Sequence, residues 1–175
     1  MSARLNCEVP VDFSLEMAWL SRYNPITMKT ILVPIDLSAT AATVIEAAIA
    51  LAASTQGKMV LLHVVQPPII TSDYGIAMEN LEELVAVSEK TANRQLASMK
   101  EKYSTPELPI ETAQLVGAPI PLIIEEARRQ GADYIVMGSH GHSAFYDLMV
   151  GTTTHGVLKN AQCPVLIVPP TARRR

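Results

Sequence analysis

Short apolar runs alternate with longer helix-like segments from about residue 28 onward. Thr30–Ile35 and Met59–Val65 are rich in β-branched residues and leucine, which is typical of strands buried on both faces. Tyr134–Met137 and Val165–Val168 are shorter runs of the same kind. Ile110–Val116 alternates apolar and polar residues, which predicts a strand nearer the edge of the sheet.

Helix-like segments separate the predicted strands. An alanine-rich stretch from Ala39 to Thr55 follows Ser38, the predicted N-cap, and Gly57 is expected to end this helix. The segment from about Ile76 to Tyr103 has apolar residues every three or four positions, which predicts a long helix with one buried face. The apolar positions on that face are Leu81, Leu84, Val85, Ala92, Leu96 and Met99.

Two further helices complete the pattern. Pro119 and Pro121 fall in the first turn of one helix, which should end at Gly131, and Thr152–Asn160 is the other. The predicted order is therefore βαβαβαβαβ, and helices between successive strands require right-handed crossovers and a parallel sheet. The expected fold is α/β, a doubly wound, Rossmann-like, five-stranded parallel sheet with helices on both faces.

Composition and charge remove several classes of function. Of the 175 residues, 49% are hydrophobic and 18% are charged, which argues against disorder over most of the chain. The formal net charge of −3 gives no electrostatic reason to expect a nucleic acid or an anionic membrane as partner. No apolar run approaches the roughly 18–20 residues of a membrane span, and the amino-terminal region lacks the apolar stretch of a signal peptide.

The cysteines indicate a reducing environment. Cys7 and Cys163 are far apart and neither belongs to a CxxC pair, so structural zinc and a disulfide framework are not expected. We therefore expect a cytoplasmic protein, with Cys163 as a buried, inert thiol. His63 lies inside the second apolar run and is interpreted as a core histidine with its hydrogen bonds satisfied.

The chain divides into three parts. Residues 1–27 contain the single tryptophan and no periodic apolar pattern. A start codon assigned too early, residues added by cloning and a genuine amino-terminal arm all stay open as explanations for them. Residues 28–170 form the predicted domain, and residues 171–175 are a basic tail that we expect to be solvated.

The end of the first strand is a candidate site. In an open parallel sheet, ligands bind beyond the carboxyl ends of the strands, where the strand order reverses. Pro34 removes a ladder donor, so it must lie at the end of its strand or at a bulge. Asp36 follows and is a candidate ligand-binding carboxylate. The alternative is a helix-capping carboxylate, a role that Ser38 already fills in the predicted helix.

A glycine- and threonine-rich loop follows the fourth strand. Gly138 and Gly141 allow backbone turns and the close approach of a ligand. Gly151 precedes a helix that starts with Thr152–Thr154. Unpaired N–H groups, a favourable helix dipole and hydroxyl groups then coincide, and that combination suits a phosphate group.

Other chemistries lack their motifs. The chain has no GxGxxG after the first strand and no GxxxxGK[ST], and the loop contains no lysine. Ser143 lacks the second glycine of a nucleophile elbow. His140 and His142 form an HxH pair near His155, so a metal site stays open, although Asp147 is the carboxylate closest to them in sequence. We expect these histidines to line the loop or to contact phosphate.

Four segments of the chain form a recognisable set. They are Val33-Pro34-Ile35-Asp36, Leu62-His63-Val64-Val65, Gly138-x₂-Gly141-x₉-Gly151-Thr152 and Cys163-Pro-Val-Leu-Ile-Val168. Together they resemble the universal stress protein family, over residues 28–170. The spacing of the three glycines and the following hydroxyl is the ATP-binding signature of one branch of that family, and here it is complete. Residues 1–27 match nothing in the family.

The resemblance implies the fold of the adenine-nucleotide alpha hydrolases and three groups of contacts with an adenine nucleotide. The first two strands would hold the adenine and ribose, the end of the fourth strand would lie along the nucleoside, and the loop and helix start would hold the phosphates. In these three groups the residues are Pro34, Ile35, Asp36 and Val64; Met137 and Gly138; and His140, Gly141, His142, Gly151, Thr152, Thr153 and Thr154.

The expected function is regulatory binding of ATP, or of ADP or AMP, with Mg²⁺ or Mn²⁺ bridging the phosphates. A slow ATP hydrolase using the same site and a scaffold that binds no small molecule are the alternatives. The last strand, Val165–Val168, is apolar and lies at or near a sheet edge, which predicts a homodimer through that strand. The alternative is that the amino-terminal arm or the basic tail covers the edge.

Overall fold

The computed structural model describes residues 28–67, 78–139 and 151–170, and in these parts five strands alternate with four helices. Residues 1–27 and 171–175, the predicted arm and tail, lie outside the described residues. The elements in chain order are β1 (Thr30–Pro34), α1 (Ala41–Thr55), β2 (Lys58–Val65), α2 (Met78–Tyr103), β3 (Ile110–Val116), α3 (Pro119–Arg129), β4 (Tyr134–Gly138), α4 (Thr152–Asn160) and β5 (Val165–Val168).

The five strands form one parallel sheet in the order β3-β2-β1-β4-β5. The chain builds outward from β1 to β2 and β3, then crosses to the other side of β1 for β4 and β5. The strand order therefore reverses between β1 and β4. This topology confirms the predicted doubly wound α/β fold, and it places β3 and β5 at the two edges of the described sheet.

The sheet has an apolar core on each face. One core packs β1, β2 and β4 against α1 and α2, and the other packs them against α3 and α4. Side chains alternate between the two faces along each strand, so a run that is apolar at every position fills both cores. The fully buried residues of the three central strands are Ile31, Leu32, Val33, Met59, Val60, Leu61, Leu62, Ile135 and Val136.

The start of α1 differs from the prediction. The helix begins at Ala41 with Thr40 at the N-cap position, and Ser38 is not the N-cap. The cause is the carboxylate two residues earlier: Asp36 Oδ1 accepts the Ser38 N–H at 3.1 Å, so the chain makes a turn before it enters the helix. The Ser38 hydroxyl lies 2.7 Å from the Thr40 hydroxyl.

The end of α1 also differs in its detail. Gln56, rather than Gly57, takes the left-handed conformation, with φ 50° and ψ 42°, and its N–H donates to the Ala52 carbonyl. Gly57 is required for another reason, because a Cβ there would lie 2.7 Å from the Lys29 carbonyl oxygen. The helix itself ends at Thr55, as predicted, and the left-handed residue that follows it is Gln56.

The predicted buried face of α2 is correct only in its carboxyl-terminal half. Ala92 and Leu96 are buried, whereas Leu84 is 56% exposed. Leu81 lies outside the residues whose side chains are described. The reason is length, because 26 residues of helix span about 39 Å while the 8-residue β2 spans about 26 Å. The amino-terminal half of α2 extends past the sheet. None of the described helices is long and apolar enough to cross a membrane.

The left-handed Gln56 generates a stability prediction. Replacing it with glycine removes the steric cost of a Cβ at positive φ, so Gln56→Gly should raise the free energy of unfolding by about 1 kcal/mol. Gln56→Ala is the matched control, because it shortens the side chain and keeps the Cβ. Urea unfolding measures both variants. Equal stability of the glycine and alanine variants would contradict the assigned conformation.

Candidate functional site

The crevice between β1 and β4 is the main feature at the carboxyl ends of the strands. These two strands pair only at Ile31 with Tyr134 and at Leu32 with Ile135. On the other side of β4, pairing with β5 continues to Gly138 and Val168. β1 and β4 therefore stop pairing before they end, and they do so at the point where the strand order reverses.

Pro34 explains why the pairing stops. The Ile35 N–H donates to the Leu62 carbonyl of β2 at 2.9 Å, so this nitrogen faces β2. Successive backbone nitrogens in a strand face opposite neighbours, so the nitrogen of Pro34 faces β4. Proline has no N–H to donate, and the next rung between β1 and β4 cannot form.

Asp36 lies directly after this point, in a tight turn. Its Oδ1 accepts the Ser38 N–H, and Leu37 between them has φ 59°, an uncommon conformation for a bulky residue. The Leu37 side chain packs against the core on the α1 face, which offsets the cost of that conformation. The turn therefore holds the half-buried Asp36 at the mouth of the crevice.

His63 of β2 also contacts this segment. Its Nδ1 lies 2.8 Å from the Ile35 carbonyl oxygen, and because a carbonyl only accepts, Nδ1 carries the hydrogen. The predicted core histidine is thus satisfied, although it is half-buried and its partner is the residue next to Asp36. The sequence did not predict this contact. The signal for it was the position of His63 near the carboxyl end of β2, which lies beside β1 in the sheet.

Hydrogen bonds join the end of β4 to the start of α4. The Ser139 N–H donates to the Val168 carbonyl at 2.9 Å, and the Ser139 carbonyl accepts the Gly151 N–H at 2.8 Å. The Thr154 hydroxyl, on a residue only 4% exposed, donates to the Gly138 carbonyl at 2.9 Å. These bonds hold the amino-terminal end of α4 against the carboxyl end of β4.

The first turn of α4 offers backbone donors. Gly151 stands at the N-cap with φ −57° and ψ 153°, and the helix begins at Thr152, which is exposed. The first N–H groups of an α-helix have no partner within the helix, and the helix dipole makes this end attractive to anions. The hydroxyl of Thr154 is already bonded to Gly138, so at that residue only the backbone N–H is directed to the helix start.

The structure brings most of the predicted residues to the carboxyl edge of the sheet. Val64 is half-buried and packs against the core on the α3 and α4 face, and Met137 is buried in the same core. Backbone atoms of these two residues, rather than their side chains, are left to meet a ligand. The other described residues are Pro34, Ile35, Asp36, Gly138, Gly151, Thr152, Thr153 and Thr154; His140, Gly141 and His142 lie outside the described residues.

His140, His142 and Asp147, the residues for which a metal site stayed open, lie outside the described residues. The described parts of the chain contain no group of three or more histidine, cysteine, aspartate or glutamate side chains that could hold a metal ion. Cys163 lies at the opposite end of the sheet, in a cleft of about 130 Å³ that Ile124 and Arg128 also line. Burial, helped by the Asp133 carboxylate, raises the pKa of the thiol, so Cys163 stays protonated at neutral pH.

The Thr154 hydroxyl generates the prediction for this junction. Thr154→Val keeps the shape of the side chain but leaves the Gly138 carbonyl without its donor, so the free energy of unfolding should fall by about 1–2 kcal/mol. Thr154→Ser retains the hydroxyl and should recover most of that loss. Thermal and urea unfolding test this, and a valine variant as stable as the serine variant would show that the bond contributes nothing.

Comparisons with known proteins match nearly the whole described region. The model of the universal stress protein family matches residues 27–169. Universal stress protein YxiE of Bacillus subtilis is 32% identical over 142 residues, covering 78% of this chain and 96% of the relative. The solved structure of MJ0577, a universal stress protein of Methanocaldococcus jannaschii, has a TM-score of 0.73 and 27% identity, covering 84% of this chain and 99% of that one.

A more distant structure has the same fold. A universal stress protein family member from Arabidopsis thaliana, solved with AMP bound, has a TM-score of 0.59 and 20% identity, and the match covers 82% of this chain and 93% of that one. The family match runs from before β1 to after β5 and includes both sides of the crevice. The chain belongs to the universal stress protein family.

Proposed function

We propose that this protein binds an adenine nucleotide, with ATP preferred, as a regulatory module of the stress response. The observation that carries the proposal is the crevice at the switch point. It has the Asp36 turn on one side and the amino-terminal end of α4 on the other. Crevices of this kind are where open α/β sheets bind their ligands.

The β1 and β2 side would take the adenine and ribose. The Asp36 carboxylate is an acceptor suited to ribose hydroxyls or to an exocyclic amino group. Pro34 and Ile35 would supply apolar surface around it, and Val64 would supply backbone groups. Met137 and Gly138, at the end of β4, would lie along the nucleoside on the other side of the crevice.

The start of α4 would take the phosphates. Backbone N–H groups of Thr152–Thr154 and the hydroxyl of Thr153 are the groups that a helix start directs toward an anion. Gly151, whose N–H donates to the Ser139 carbonyl, would leave room for the phosphates to approach. His140, Gly141 and His142 belong to the same proposed site by their place in the sequence. A divalent cation, Mg²⁺ or Mn²⁺, would bridge the phosphate oxygens.

The residues favour binding over catalysis. The described segments at this edge, residues 35–38, 64–67, 138–139 and 151–155, contain no lysine or arginine, and residues 140–150 contain none in the sequence either. A phosphoryl-transfer enzyme normally places such a cation against the charge that develops on the transferred group. A solved family member with AMP bound agrees with the proposed ligand class. Its similarity to this chain goes no further than the fold.

Calorimetric titration with ATP, ADP and AMP tests the proposal. Gly151→Val should weaken ATP binding at least ~10-fold, because the valine side chain would fill the space over the helix start. It would thereby prevent a hydrogen bond between a helix N–H and the charged phosphate. The backbone angles of Gly151 suit any residue, so the variant should fold. Ala118→Val is the matched control, since it places the same side chain at the N-cap of α3. Absence of binding by all three nucleotides at millimolar concentration would refute the proposal.

Single-turnover hydrolysis separates the regulatory module from the alternative of a slow ATP hydrolase. If the protein is a regulatory module, bound ATP should be hydrolysed no faster than the background rate and should be recovered intact. A rate well above background that Asp36→Asn abolishes would establish the hydrolase instead.

We also propose a homodimer through β5. Within the described chain this strand pairs with β4 on one side and with no strand on the other, and Leu166 on it is 44% exposed. An apolar edge strand invites pairing with another chain, and two copies of the same strand pair antiparallel around a two-fold axis. Pro164 and Pro169 limit the contact to Val165–Val168, so the assembly would end at two copies.

Sedimentation measures the dimer. Leu166→Lys should give a monomer at micromolar concentration, because it places a charge in the proposed contact without entering the core. Leu84→Lys is the matched control, since Leu84 is an exposed leucine on α2. A wild-type monomer, or a Leu166→Lys variant that stays dimeric, would contradict this contact.

A further inference from the structure

A side chain takes the place of a backbone donor at the last rung between β1 and β2. In a parallel ladder, a residue that donates its N–H to one carbonyl accepts at its own carbonyl from the residue two further along the partner strand. The Ile35 N–H donates to the Leu62 carbonyl, so its carbonyl would accept the Val64 N–H. The His63 ring donates to it instead, at 2.8 Å.

The substitution leaves the Val64 peptide groups facing the crevice. Leu62 faces β1, and Val64, two residues on, has its N–H and carbonyl on the same side. The last register pair of these strands is Pro34 with Leu62, so within the described chain the β1 ladder ends before it reaches Val64. One donor and one acceptor of the backbone therefore lie side by side beyond the end of β1.

We propose that His63 is a positioning residue for purine recognition. By occupying the Ile35 carbonyl, it ends the ladder one rung early and keeps the Val64 N–H and carbonyl available to the edge of a base. This inference rests on the proposed nucleotide binding and adds its selectivity. Adenine presents an acceptor at N1 beside a donor at N6, whereas guanine presents a donor at N1 beside an acceptor at O6. In a single pose, the N–H and the carbonyl of Val64 would therefore pair with N1 and N6 of adenine. With guanine in the same pose, donor would face donor and acceptor would face acceptor.

The proposal requires the donor at Nδ1 and not the imidazole as such. A neutral ring with the hydrogen on Nδ1 and a protonated ring both donate from this atom, so the bond does not depend on the charge of His63. Asparagine carries an N–H at nearly the same reach as Nδ1. His63→Asn should therefore preserve the arrangement, and His63→Val should abolish it.

Amide hydrogen exchange of the nucleotide-free protein gives the first test. In the wild type, the Val64 N–H should exchange at least ~10-fold faster than the Leu62 N–H, which lies within the ladder. His63→Val frees the Ile35 carbonyl, so Val64 should join the ladder and its exchange should slow by at least ~10-fold. His63→Asn should resemble the wild type. A Val64 amide as protected as that of Leu62 in the wild type overturns the proposal without any variant.

Nucleotide selectivity gives the second test. The ratio of the Kd values for GTP and ATP should fall at least ~10-fold in His63→Val, the value of about one hydrogen bond, and should be retained in His63→Asn. Gln114→Met is the matched control. Gln114 lies in register with His63 on β3, and its buried Oε1 has no hydrogen-bond partner within the described chain. This control should change neither the selectivity nor the exchange of Val64.

The two tests separate the possible failures. Wild-type protein that binds ATP while His63→Val keeps the same selectivity overturns the role of His63 and leaves the proposed function intact. If the Val64 amide of the wild type exchanges rapidly but the protein binds no nucleotide, the proposed function is refuted, and the purine recognition with it. The exchange measurement then still reports whether the His63 bond ends the ladder.

Discussion

The early end of β1 is the constraint on which the candidate site depends. A central strand of a parallel sheet normally pairs along both edges, and β1 stops doing so at Pro34 on one side and at Ile35 on the other. Pro34 lacks the N–H that β4 would need, and His63 takes the carbonyl that β2 would use. Complete burial of Ile31–Val33 stabilises the strand below this point, so β1 keeps its place although its last rungs are missing.

The sequence predicted the fold because burial on both faces leaves a strong pattern. Strands such as Thr30–Pro34 and Tyr134–Gly138 are apolar at nearly every position, and helices between the strands leave few topologies. The errors concern local competition. Asp36 captures the Ser38 N–H and delays α1, and Gln56 adopts a conformation for which its sequence gives no signal. The exposure of Leu84 depends on the relative lengths of helix and sheet, which periodicity does not report.

The candidate site was predicted by position more than by chemistry. Pro34 stands out because it breaks a local rule in a central strand, and Asp36 and Gly151 stand out by their places at the end of a strand and the start of a helix. His63 does not stand out, since a histidine in an apolar run is most often a core residue. Its contact with Ile35 follows from the register of β1 against β2, which is a property of the folded sheet. Thr154 is similar, because its hydroxyl partner, Gly138, is 16 residues away.

The two sides of the crevice are held by different neighbours. Asp36 depends on β2, through the bonds of Ile35 to Leu62 and His63. The start of α4 depends on β5, because the Val168 carbonyl holds the Ser139 N–H and the Ser139 carbonyl holds the Gly151 N–H. Two successive backbone hydrogen bonds therefore connect β5, at the edge of the sheet, to the start of α4. β1 and β4 no longer pair beside them, so each side of the crevice takes its hydrogen-bonded support from the strand on its outer side.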